Sequence, residues 1–245
     1  MHHLRVDQWS RGQSFLHNRD PRAKILALLI FLVALATTPV LSRLPVFLLQ
    51  MFVFAALLFG AIAASGLPAG ALELRAMAVL PFSITFGLVS WLAGDPTRAV
   101  VLIAKSYLSA LAVLLVVATT PVPLLLRGLE GLGAPRVFVL IVQFLHRYLF
   151  VVAEQAQRMR LAAACRQGES KLSRLSSFRA AAGAVSVLFA RSYARAEGIH
   201  QAMLSRGFSG QFAVGVALRP NMSDAALVIG SLVAALAVRL AFPGR

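Results

Sequence analysis

The chain has 245 residues, 59% hydrophobic and 13% charged, with a mean hydropathy of +0.78 and a formal net charge of +15. A soluble domain of this length carries roughly twice that charged fraction, so the composition excludes an ordinary water-soluble globule and implies an all-α polytopic membrane protein. Basic segments held on the cytoplasmic side, next to anionic lipid, account for the excess of Lys and Arg. No aromatic-plus-basic module accompanies the charge, so nucleic acid is not expected as a partner.

Residues 1–24 read as a polar cytoplasmic leader with five basic residues: Arg5, Arg11, Arg19, Arg22 and Lys24. No small-residue cleavage site follows the first apolar run, which argues against a signal peptide. Asp20-Pro21 is a helix start, the aspartate capping free N–H groups and the proline fitting the first helical position. Apolar runs then predict spans over about 25–41, 46–67, 74–94 and 99–120, each near the ~20 residues needed to cross the hydrocarbon. Ser42-Arg43-Leu44-Pro45 and Gly66-Leu67-Pro68-Ala69-Gly70 separate the first three spans. Pro81 predicts a kink in the third, and Asp95-Pro96 a cap for the fourth. A last span is expected at 225–242, capped by Ser223 or Asp224.

Between the fourth and last spans lies a basic region, 121–220. From Arg127 to Arg219 it holds thirteen Lys and Arg against four Glu. Three helices are expected there: a short amphipathic one over 121–133 closed by glycines, a long one over 134–168 started by Pro135, and a second long one over 173–207 with Ser173 as cap. The small run Ala180-Ala181-Ala182-Gly183-Ala184 suggests a close crossing of the two long helices. Residues 137–153 are apolar enough to be read as a span, but they carry Gln143, His146, Arg147 and Tyr148, which are expensive in lipid. A crossing there would also export nine downstream cations, from Arg158 to Arg206, against the positive-inside pattern. The segment is therefore read as entering from the cytoplasmic side. This gives about five spans with the N-terminus inside, in four parts: leader 1–24, membrane domain 25–120, coupling helices 121–220 and last helix 221–245.

Two arginines stand at helix ends. Cys165-Arg166-Gln167-Gly168 closes the first long helix, and Ser205-Arg206-Gly207 the second. For either alone, dipole complementarity and a glycine stop are the ordinary explanation. Two such tips on one basic domain also suit a paired partner, because a guanidinium makes fork-like contacts to carboxylates and carbonyls.

At these residues the chain resembles the transmembrane T component of energy-coupling-factor transporters, in the CbiQ/NikQ group serving cobalt or nickel uptake. The leader stretch from Leu16 to Lys24, with His17-Asn18-Arg19-Asp20-Pro21 at its heart, is similar to that family's leader. Gly133-Ala134-Pro135-Arg136, Arg147-Tyr148-Leu149-Phe150 and Glu154 with Arg158-Met159 are similar to its central coupling helix. Arg166 and Arg206 fall at its two small-Arg-small motifs, although Cys165-Arg166-Gln167 replaces the usual Ala-Arg-Gly/Ser. The resemblance covers nearly the whole chain, and motif order and spacing carry it. It implies a non-enzymatic membrane scaffold, with no cofactor of its own, in the inner or plasma membrane. Its partners would be two ABC ATPase subunits, coupled through Arg166, Arg206, Cys165, Gln167, Ser205 and Gly207, and a metal-type substrate-binding S component. Cobalt is preferred to nickel or a vitamin on the resemblance alone.

Other features read more plainly. Glu154–Arg158 is a favourably oriented i,i+4 pair. Arg191 and Arg195 share a face that suits solvent, lipid headgroups or an acidic partner. His2, His3, His17, His146 and His200 show no ligand spacing, although His3 is third from the N-terminus, where a free amine, backbone amides and an imidazole can hold Ni²⁺ or Cu²⁺. Cys165 is a single cysteine, which excludes an internal disulfide and a multi-cysteine metal cage. Lys105 and Arg239, two cations inside spans, are expected to snorkel. No phosphate-cradling glycine loop with Lys-Ser/Thr is present, so ATP hydrolysis is expected elsewhere. A self-contained secondary permease with a basic regulatory domain is the alternative, but the duplicated halves of such folds are not visible.

Overall fold

The computed structural model describes residues 9–10, 12, 14–38, 44–167, 174–208 and 222–241. The leader's first eight residues with His2, His3 and Arg5, residues 42 and 43 of the turn at 42–45, the first tip's Gly168, and the expected cap Ser173 lie outside the described residues. Among the described residues every long element is helical: α1 (Pro21–Thr37), α2 (Leu44–Ser65), α3 (Ala69–Ala76), a 3-10 turn (Met77–Val79), α4 (Leu80–Leu92), α5 (Pro96–Thr119), α6 (Val122–Gly131), α7 (Arg136–Gln167), α8 (Arg174–Ser205) and α9 (Met222–Ala241). They fall into two compact units: one within residues 1–136 and 218–245, the other within 137–217.

In the first unit α5 is the hub, packing against α1, α2, α3 and α4, while α1 also packs against α6 and α9. The core follows helical spacing. On α2, Phe47, Met51, Phe54, Leu58 and Ile62 recur every three or four residues, and all are buried. Leu108, Leu111, Ala112 and Leu115 face them from α5. Phe31 of α1 meets Phe54 edge-on at 5.4 Å. Large apolar residues on the other faces stay exposed, including Phe52 at 70%, Phe82 at 69% and Leu92 at 78%. In water such a surface would aggregate; against lipid tails it is the expected exterior. Phe47–Ser65, Ala69–Leu92, Pro96–Thr119 and Arg136–Arg166 are long and apolar enough to cross a bilayer, and Met222–Ala237 is a shorter apolar helix.

Local chemistry sets the boundaries. Asp20 caps α1 as expected, its side chain accepting from the Arg22 N–H at 2.8 Å. Asp95 makes no such capping bond to α5 and instead pairs with Arg98 at 3.5 Å. The break at Gly66 is present, with φ +66. The third span starts at Ala69, earlier than expected, and the interruption at Pro81 takes the form of the 3-10 turn just before it. A proline cannot donate to the carbonyl four residues back, so the ladder tightens to three-residue bonds there. Gly87 lets α4 lie tight on α5: a methyl built on it would sit 2.9 Å from Ile103 Cδ1.

Two further expectations are corrected. Ser223 and Asp224 do not cap the last helix, which already begins at Met222. Lys105 does not snorkel. Nine residues into α5, its Nζ donates to Thr38 O at 2.7 Å and Ala36 O at 3.2 Å, satisfying carbonyls left open at the end of α1. The side chain of Arg239 lies outside the described residues.

Candidate functional site

In the second unit α7 and α8 are uninterrupted helices of 32 residues each. The apolar first half of α7 presents Phe138, Ile141, Leu145 and Leu149, four exposed residues at three- and four-residue steps. Arg166 stands in the last turn of α7, beside the exposed free thiol of Cys165, and is itself exposed. Gln167 is the last residue of the helix, and its side chain lies outside the described residues.

The end of α8 has a defined geometry. Gly207 adopts φ +77, a left-handed conformation that a residue with a Cβ pays to enter. The Phe208 N–H donates to Met203 O at 3.0 Å and the Gly207 N–H to Leu204 O at 2.9 Å. These paired bonds close the helix as a Schellman motif with Arg206 at the C-cap. Ser205 Oγ donates back to Ala202 O at 3.0 Å, fixing the residue before it. Arg206 is thus exposed on a backbone whose direction is set by its neighbours.

The two long helices line one groove of about 910 Å³. Its α7 wall runs from Val151 through Glu154, Arg158 and Ala162 to Arg166; its α8 wall holds Ala184, Val187, Arg191 and Arg195. Glu154 and Arg158 form the expected pair, with Arg158 Nη2 donating to Glu154 Oε1 at 2.6 Å. The groove gathers Arg166 with Arg191 and Arg195, which lie some 25 to 29 positions further along the chain, and Arg206 does not line it. The signal was available as period: 151, 154, 158, 162 and 166 share a helical face, as do 184, 187, 191 and 195. The close crossing at Ala180–Ala184 is not observed. Those residues are exposed, and a methyl on Gly183 would meet nothing within 4 Å.

A second polar cluster, in the first unit, joins the leader to the helices. Lys24 is 4% exposed, and its Nζ donates to Thr120 Oγ1 at 2.9 Å, Thr119 O at 3.2 Å and His17 O at 3.3 Å. Asp224 of α9 accepts from the Asp20 N–H at 3.3 Å and lies 3.9 Å from Arg19 Nη1. His17 also bonds Ser14 Oγ at 2.6 Å and Trp9 O at 2.8 Å. Composition alone gives no sign of this knot, because its members are far apart in sequence. Among the described residues, no three His, Cys, Asp or Glu side chains gather as a metal-holding group.

Helices with lipid-ready exteriors and a unit of paired basic helices define a multi-pass membrane protein. The chain matches the family described as CbiQ, cobalt transport protein, over residues 12–214, and it belongs to that family. It is therefore a cobalt-transport membrane protein, a component of a transporter rather than a catalytic enzyme. No curated protein matches the chain.

Proposed function

We propose that the chain is the transmembrane scaffold of an energy-coupling-factor importer, linking two ABC ATPase subunits to a separate metal-type S component. The observation that carries this reading, beside membership of the cobalt-transport family, is a pair of long helices that each end in an exposed arginine. Arg166 and Arg206 seat one in each ATPase, with Cys165, Gln167, Ser205 and Gly207 shaping the two tips. ATP-driven closing of the ATPase pair shifts one tip against the other, and the stiff helices carry that shift to the membrane. The stripe Phe138, Ile141, Leu145 and Leu149 is the seat of the S component. The leader 1–24 and the coupling region 121–220 lie in the cytoplasm, with 25–120 and 221–245 in the membrane.

The test is the double variant R166A/R206A, purified with its native partners. Both side chains are exposed, so stability should change by no more than about 0.5 kcal/mol. Recovery of the ATPases and cobalt uptake should both fall, while the chain still reaches the membrane. Full ATPase recovery by this variant would remove the role given to the two arginines.

A further inference from the structure

Four guanidinium groups, those of Arg158 and Arg166 on α7 and Arg191 and Arg195 on α8, line the groove of the second unit. Glu154 is the carboxylate lining it, and that carboxylate is already bound to Arg158 at 2.6 Å. Arg191 and Arg195 are four residues apart on one helical face, where like charges repel. Between the charges the wall holds one neutral polar side chain, Gln155, and is otherwise apolar, with Val151, Met159 and Val187 offering no acceptor. Cations from two helices thus converge where the groove supplies a single carboxylate. An anion with several oxygens matches that donor set, because each planar guanidinium can give two parallel N–H bonds.

The orientation of α8 supplies a second observation. Phe178, Val185 and Phe189 recur on one side of it and are 73%, 65% and 71% exposed. At about 100° per residue, that side lies nearly opposite the side carrying Val187, Arg191 and Arg195. The helix thus turns Arg191 and Arg195 toward the groove and Phe178, Val185 and Phe189 away from it, the reverse of a helix in a water-soluble bundle. Basic groups beside an exposed apolar face suit the headgroup boundary of a membrane, where phosphate is the abundant anion.

We propose that this groove is a phosphate-binding site, with Arg191 and Arg195 from α8 and Arg158 from α7 as its donors. The phosphate comes from the headgroup of an anionic phospholipid or from phosphate in solution. The ATPase-docking reading gives these three arginines no role, although Arg166, which it does use, lines the same groove.

The experiment uses the full chain in nanodiscs of phosphatidylcholine alone, or of equal parts phosphatidylcholine and phosphatidylglycerol, each with and without inorganic phosphate. An arginine-selective dicarbonyl reagent is applied, and modification of each arginine is followed by mass spectrometry. The exposed Arg160 and Arg179, which do not line the groove, serve as internal references. Modification of Arg191 and Arg195 should slow several-fold relative to the references when the anion is supplied, and R158Q should weaken that protection where R179Q does not. Protection only with phosphatidylglycerol identifies a lipid headgroup; protection by inorganic phosphate in plain phosphatidylcholine identifies the soluble anion. Slowing shared equally by Arg160 and Arg179, or none in any arm, overturns the site. Protection unchanged by R158Q overturns the assignment of α7 to it.

Discussion

Lys24 shows how one residue's position changes its meaning. In the sequence it is the last cation of a basic leader. In the structure it is buried, and its ammonium satisfies the carbonyls of His17 and Thr119 and the hydroxyl of Thr120. An ammonium removed from water persists because its hydrogens find acceptors, and those acceptors depend on it in turn. Lys24→Met keeps the apolar stem and deletes the donor, leaving Thr119 O and Thr120 Oγ1 in a buried place. The unfolding free energy of the detergent-solubilised protein should fall by about 1–3 kcal/mol. Thr120→Val, which removes one acceptor and leaves two, should cost less. A Lys24→Met protein that melts with the parent would show that the network is incidental. Lys105 carries the same lesson. Its sequence position suggested a side chain reaching for the interface, whereas the end of α1 lay within reach and offered unpaired carbonyls. Neighbours across the fold, invisible to a local reading, decided both.

At the scale of the element, boundaries were legible where the residue acts through its own backbone. Pro81, Gly66, Gly133 and Gly207 interrupt or close helices where the sequence indicates, because proline's missing donor and glycine's freedom at positive φ are local properties. Asp95 and Asp224 were less legible, since a capping residue can find a better partner: Arg98 for the first, the leader for the second. The small run on α8 misled for a related reason. Small residues permit close approach but do not compel it, and Gly183 has open space where contact was expected. Gly183 inside α8 and Gly207 just beyond its end therefore predict opposite effects. Gly207→Ala forces a Cβ into the left-handed region and should destabilise the helix end by about 1–2 kcal/mol. The check is faster hydrogen exchange at the Gly207 and Phe208 amides, which close the helix. Gly183→Ala lies in a helix interior with nothing to strike and should slow exchange there, a gain of up to about 1 kcal/mol. If Gly207→Ala left exchange unchanged, the fixed direction of Arg206 would lose its basis.

For the whole molecule, the reading turns on the side of the membrane that receives the end of α7. Its length and composition allow a crossing, and Arg136–Arg166 includes an apolar stretch long enough for one. Charge argues the other way. A span starting at Val137 would put His146 and Arg147 near its midpoint, where an arginine costs roughly 2.5–3.5 kcal/mol on the insertion scale. It would also carry Arg158, Arg160 and Arg166 outward, with the cations of α8 behind them. Length and charge thus compete. An average over apolar residues hides the placement of the few polar ones, so charge weighs more. Cys165 makes the choice measurable without engineering, because it is the single cysteine of the chain and its side chain is exposed. A membrane-impermeant maleimide added to intact cells should leave the protein unmodified, and the same reagent added to inside-out vesicles should modify it. An outside loop or an outside helix end would reverse the pattern. Labelling from outside would place Arg166 where no cytoplasmic ATPase can reach it, and the coupling role of both helix tips would fall with it.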